Sequence, residues 1–192
     1  MKRMIIYIIG VIAALIIAIG IYGGSQPKHV SAQIFIEAST AQVWALWSKF
    51  DNVADFVPMV HDAYTVGDIT EGLGQARRCN IQPGVYVEER ITAWDPGKAY
   101  AMEVYQKEGV MIDKMQVDFQ VKPSGDGTLA LVHMSYQMQG LADFLPIYGM
   151  MKTQAIDHLV GIKHLSETGE KITAELLETL KKKYLSDYKI LP

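Results

Sequence analysis

One cysteine, Cys79, occurs in the 192 residues. The chain therefore builds no internal disulfide, and cysteine usage leaves its redox compartment open. Metal-ligand spacing is missing as well. The five histidines, His29, His61, His133, His158 and His164, include no i, i+4 pair and no His-Glu-x-x-His, so no metal site is expected. The sequence has no phosphate-cradling glycine loop and no nucleophile-elbow pattern, and no cofactor is expected. Clustered positive charge is also scarce. With Lys2 and Arg3 set aside, 16 basic residues face 21 acidic ones, a net charge of −5. Nucleic acid asks for a concentrated basic surface and is not an expected partner. Internal repeats and low-complexity segments are absent from the sequence.

Apolar residues are abundant, at 49%, and part of them fall in one run. Met4 to Gly23 holds twenty residues without a charge. As a helix it spans roughly 30 Å, the thickness of a bilayer hydrocarbon core. Lys2 and Arg3 precede it, so the positive-inside rule leaves a short cytoplasmic N-terminus and sends the body to the far, extracytoplasmic side. The alternative is a cleaved signal peptide, whose apolar region runs about 7–15 residues; Ala18/Gly20 or Gly23/Ser25 would supply its small residues. A buried core helix does not fit, because the run has no polar face to meet water. The expected organisation is an anchor over 1–24, a linker over 25–29, a domain over 30–168, and an extra amphipathic helix over 169–192.

Within the domain, Val30–Ala38 alternates loosely and reads as a first strand. Ser39-Thr40 is an N-cap signal before a short helix carrying Val43, Trp44 and Trp47, and Asp51–Phe56 reads as a second helix stopped by Pro58. From Val60 the period changes to two. The spacing predicts strands over Val60–Val66, Gln75–Ile81, Val85–Trp94, Tyr100–Lys107, Ile112–Lys122 and Thr128–Gln139, with glycine or proline turns between them. Connections this short make the sheet antiparallel. Alternation puts Met115, Val117, Phe119 and Val121 on one covered face, with Ala130, Val132, Met134, Tyr136 and Met138. After a loop over Gly140–Tyr148, Met151, Ala155, Leu159 and Ile162 mark a long helix, and Lys171–Tyr188 a last one. The fold class is α+β: a curved antiparallel sheet of about seven strands wrapped on the long helix, with an N-terminal transmembrane helix.

The segments VWALWSKFDNVADFVPMV, GQAR, VEERITAWDP and GDGT, in that order and spacing, resemble the helix-grip fold of the START / Bet v 1-like (SRPBCC) superfamily, in its polyketide cyclase/dehydrase and lipid-transport branch. The resemblance covers about Val30 to Thr168. It implies an apolar cavity between sheet and long helix that holds lipids, hormones or polyketides, with no universal catalytic set. In motif the chain is similar to the plant abscisic acid receptors, whose Gly-x-x-Arg arginine and next-strand glutamate face the pocket; by position these are Arg77 and Glu89. Gln82-Pro83-Gly84 and Gly109-Val110-Met111 do not match those receptors' gate and latch, so a hormone receptor is not implied.

Alternation supports the inward reading of Glu89, which shares a face with Val87, Ile91 and Ala93. A buried carboxylate needs a partner. An odd hairpin loop places Arg77 opposite it and an even one Arg78; the pair is either a structural ion pair or a ligand contact. His61, beside Asp62, reads as a surface histidine or a general base. Met59, Met102, Met111, Met115, Met134, Met138, Met150 and Met151 form a soft set suited either to core filling or to a cavity for varied apolar ligands. Candidate ligand-binding residues are Arg77, Glu89, His61, Tyr136, Met134, Met138, Met115, Phe119 and Leu159, and none is assigned as catalytic. Three functions follow: a tethered, non-catalytic carrier or sensor of a hydrophobic, lipid-like molecule; a polyketide cyclase or dehydratase; and a protein-interaction module with a filled cavity. The partners expected are that small molecule and, through residues 4–23, a membrane.

Overall fold

The two-residue period becomes the spine of the molecule, an open antiparallel sheet of eight strands. The coordinates form a computed structural model that describes residues 2–23, 26–139, 142, 146–184 and 186–191, with the backbone alone for 2, 3, 16 and 18–23. The strands are β1 (Lys28–Ile36), β2 (Asp62–Val66), β3 (Ala76–Gln82), β4 (Val85–Asp95), β5 (Ala99–Glu108), β6 (Ile112–Ser124), β7 (Gly127–Met138) and β8 (Tyr188–Leu191). Their order is β2-β3-β4-β5-β6-β7-β1-β8. Consecutive strands pair through short turns, and β1 returns beside β7. On β6 and β7 the apolar positions named from alternation are buried, namely Val117, Phe119, Val121, Ala130, Val132, Met134, Tyr136 and Met138, with Met115 half-buried.

Two features depart from expectation. The sheet has eight strands, not about seven, because the final segment is split into a short helix, α4 (Ala174–Lys183), and β8. A four-residue strand carries almost no periodic signal of its own. It forms because β1 would otherwise be an open edge, and unpaired edge groups seek partners; Ser31 to Ile34 pair with Leu191 to Tyr188. The linker is also shorter than 25–29, since β1 already begins at Lys28. The loop expected over Gly140–Tyr148 lies largely outside the described residues.

Helix α2 (Thr40–Trp47) starts with a capping box in which Ser39 and Gln42 satisfy each other's orphan groups. The following segment, Phe50–Asp55, is a 3₁₀ turn. Helix α3 (Tyr148–Thr168) lies across the concave face and ends at Gly169 in the left-handed conformation. It packs against the 3₁₀ segment so closely that a Cβ on Gly161 would sit 1.8 Å from the Phe56 carbonyl oxygen. Backbone on both sides has to move to admit it. Gly161→Ala is therefore expected to lower stability by about 1–3 kcal/mol, as overpacking does, measured as a shift in the denaturation midpoint.

The expected anchor coincides with helix α1 (Lys2–Gly23). Among the described residues, no helix is long and apolar enough to cross a membrane, so the transmembrane helix expected there is not supported by this structure. The side chains described there, such as Ile6, Tyr7 and Ile9, are exposed.

The register fixes one further relation. Lys28, where β1 begins, lies opposite Tyr136, and Ile112, where β6 begins, lies opposite Met138. The entry of the chain into the domain and the β5–β6 turn therefore share one end of the sheet.

Candidate ligand-binding site

The concave face is filled unevenly. At one end Trp47, Phe50, Tyr100 and Phe119 interlock, with ring centroids 4.6 Å apart for Tyr100 and Phe119 and 5.1 Å for Trp47 and Phe119. Aromatic side chains bury large areas and pack well in such offset and edge-on contacts. Toward the other end the side chains are thioethers and valines, and they leave a cavity of about 370 Å³. This lies within the range of small-molecule sites, so the grip is not a filled core.

All eight methionines singled out from the sequence line this space. Met59, Met111 and Met150 are about half exposed, and they mark where it opens, between α3 and the turns at Val57–Val60 and Gly109–Met111. Flexible, polarisable thioethers can repack around apolar guests of different shape. At the inner end stand Arg77, Glu89, Cys79 and His158.

Arg77 and Glu89 face each other because of the β3–β4 hairpin. Pro83-Gly84 does form a two-residue turn, with Gly84 at φ 76°, the positive φ that a type II turn demands of its third residue. Such a loop alone would pair Glu89 with Arg78. A bulge at Ile81 inserts one residue into β3 and restores the other parity. Arg77 Nε then donates to Glu89 Oε2 at 2.6 Å, and Nη2 lies 2.6 Å from the same oxygen. Nη1 donates to the Phe50 carbonyl, and the guanidinium stacks 4.0 Å from the Phe50 ring centroid. Burial pulls the Arg77 pKa down, but the Glu89 carboxylate outweighs it and holds the guanidinium charged. Cys79 donates to Glu89 Oε2 at 3.5 Å, and burial, with Glu89 beside it, pushes its thiol well above the usual range. A thiol held protonated is no nucleophile.

His158 was not among the expected residues. It sits on α3 with its Nε2 accepting from Trp47 Nε1 at 2.7 Å, between the rings of Phe56 and Phe119. The proton of its neutral form is therefore on Nδ1. Burial, with a smaller contribution from the Arg77 charge, brings its pKa down to about 3. A signal was present: Met151, Ala155, His158 and Ile162 follow a 4-3-4 spacing on one helix face. Glu88 was likewise not among the expected site residues. It is buried on the opposite face of β4, where Arg78 pairs with it at 2.5 Å and stacks on Tyr86.

Of the nine residues expected at the site, Arg77, Glu89, Met115, Phe119, Met134 and Met138 come together at this cavity. Three do not. Tyr136 and Leu159 are buried but do not line it. His61 precedes β2 on the surface, its side chain 82% exposed and bonded to Asp62, because the strand begins only at Asp62. Among the described residues, no cluster of three potential metal ligands forms.

A sheet gripping a long helix around an apolar cavity defines a Bet v 1-like, SRPBCC-type ligand-binding domain. The profile described as "Polyketide cyclase / dehydrase and lipid transport" matches residues 27–155, and the chain belongs to that family. Solved structures agree in fold. The Zhui aromatase/cyclase from Streptomyces sp. R1128 superposes with a TM-score of 0.62 at 13% identity, over 73% of this chain and 94% of that one. Ara h 8.0201 gives 0.60 at 13% identity, over 73% and 97%. The protein XoxI from Bacillus cereus gives 0.58 at 19% identity, over 71% and 93%. No curated protein sequence matches the chain.

Proposed function

We propose that this protein is a membrane-tethered carrier or sensor that holds a hydrophobic small molecule in the cavity without converting it. The cavity carries the reading: an opening flanked by Met59, Met111 and Met150 leads to a space where, among the described residues, the only charged lining residues are the paired Arg77 and Glu89. The inner end does not favour acid–base chemistry. Glu89 is committed to Arg77, the Cys79 thiol is held protonated, and His61 is far out on the surface. At about 370 Å³ the space suits a single chain or a compact ring system better than both chains of a phospholipid.

The tether rests on α1 and on the register. Residues 4–23 carry no charge, and the apolar side chains of α1, exposed where they are described, are costly to hold in water and are covered by lipid at a membrane. Between Gly23 and Lys28 stand four residues, which reach about 14 Å at full extension. β1 then starts at the sheet end that bears the β5–β6 turn, and this supports a cavity mouth turned toward the bilayer from which the molecule is taken. The test is purification of the full chain from membranes washed at alkaline pH, followed by native mass spectrometry. Retention through the wash with an apolar species bound is the expected result. Release by the wash would refute the tether, and an empty cavity in every preparation would refute carriage.

A further inference from the structure

The apolar lining of the cavity is chemically biased. All eight methionines that follow α1 border it, and among the described residues no leucine does. Leucine and methionine are close in volume and exchange in cores at little cost, so what this lining gains from methionine is sulfur and flexibility. Exposure then divides the set. Met102, Met134, Met138 and Met151 are 5%, 4%, 4% and 2% exposed, whereas Met59, Met111 and Met150 are 46%, 56% and 52% exposed. The exposed three come from separate segments, the turn before β2, the β5–β6 turn and the first turn of α3, and all three flank the opening.

A thioether that meets solvent is open to peroxides. The sulfur lone pair attacks the peroxide's terminal oxygen, an S–O bond forms and the O–O bond breaks. The proton on that oxygen passes to the departing oxygen, which leaves as water or an alcohol; sulfur is oxidised and the peroxide reduced. The sulfoxide puts a polar, strongly accepting oxygen where an apolar sulfur stood. At Met59 a donor is already in reach, since Gln154 Nε2 donates to Sδ at 3.3 Å. Oxygens that hold water around the opening penalise an apolar guest, which must strip that water to enter or to seat against the rim. Cys79 does not compete for the oxidant, because it is 2% exposed and its thiol is held protonated.

We propose that Met59, Met111 and Met150 are sites of reversible oxidation by peroxides, and that their sulfoxides close the cavity to apolar guests while the buried methionines behind them stay reduced. The gate rests on the carrier reading above, and the two fail in different ways.

The experiment uses the full chain in amphipol, treated with graded hydrogen peroxide. Sulfoxide at each methionine is mapped by peptide mass spectrometry, and binding of a naphthylamine fluorophore is read by energy transfer from Trp44, Trp47 and Trp94. Met59, Met111 and Met150 are expected to oxidise before the four buried methionines. As they do, binding should weaken at least about tenfold, which corresponds to about 1.4 kcal/mol. The two methionine sulfoxide reductases, one for each sulfoxide epimer, should restore it. In Met59→Leu/Met111→Leu/Met150→Leu, whatever affinity the variant starts from, the same peroxide dose should no longer weaken binding. That variant keeps Met4 on α1, which is also exposed, so oxidation there is controlled for. Unchanged binding with the three sites oxidised, or equal weakening in the variant, would overturn the gate and leave carriage intact. Failure of the untreated chain to bind the fluorophore would overturn the carrier reading and the gate with it. Should the variant not fold, site-by-site oxidation of the unaltered chain and its reversal by the reductases decide the matter.

Discussion

Arg77→Met is expected to destabilise the domain by about 3–5 kcal/mol, the scale seen when one member of a buried ion pair is removed. Arg77 is 3% exposed, and its guanidinium holds four things at once: Glu89 Oε2, the Phe50 carbonyl, the Phe50 ring and Met102. Without it, Glu89 is left charged at the closed end of an apolar cavity, and the 3₁₀ segment at Phe50 loses its tie to β3. Most of the loss belongs to the stranded carboxylate, so the double variant Arg77→Met/Glu89→Leu should recover a large part of it. Chemical denaturation of the two single variants and the double variant checks this as a cycle. A double variant no more stable than Arg77→Met would mean that the Phe50 contacts, not the ion pair, hold that end together. The outer pair, Arg78 and Glu88, provides a contrast. Arg78 is 29% exposed at its side chain, and water can replace much of what Glu88 loses, so Arg78→Met should cost less.

How much of this was legible in the sequence depends on what fixed each feature. The long strands were, because side chains on a half-buried sheet must alternate: Met115 through Val121 and Ala130 through Met138 each name their inner face by period alone. The capping box at Ser39 and Gln42 is local chemistry and was equally readable. The partner of Glu89 was not. Hairpin parity depends on the turn and on any bulge together, and here an even Pro83-Gly84 turn is offset by the extra residue Ile81. No local pattern announces a bulge that exists to correct a register. β8 escaped for a related reason, since four residues acquire strand character only from the edge of β1.

The site was legible in its apolar half and less so in its polar half. Eight methionines are a compositional signal, and folding brings all of them to one cavity. His158 was hidden by its type: histidine on an apolar stripe reads as noise unless the 4-3-4 spacing is followed through it. Tyr136 shows the converse limit. Alternation correctly put it on the inner face, but a face is broader than a cavity, and which buried residues border empty space depends on how the facing side chains fill it.

His158 also makes the fold sensitive to acid, with a definite sign. Its pKa is lowered from 6.5 to about 3 by burial among Trp47, Phe56 and Phe119, with Arg77 the nearby charge that adds to the effect. Between those values the unfolded chain binds a proton at this ring and the folded chain does not. Stability contributed by the neutral ring is therefore complete above about pH 6.5 and is lost progressively as pH falls toward 3. At 1.36 kcal/mol per unit of pKa, the full loss is roughly 5 kcal/mol. In His158→Gln, the amide oxygen can still accept from Trp47 Nε1 but nothing titrates, so this part of the pH dependence should disappear. The check is unfolding free energy measured from pH 7.5 to 4 for both chains. Their difference should change with pH by up to one proton's worth of slope, and parallel curves would show that His158 is not held neutral by the fold. A ring locked in this way also bears on binding, because it keeps the Nδ1 proton in place and adds no charge to the inner end of the cavity throughout the range in which the protein is most stable.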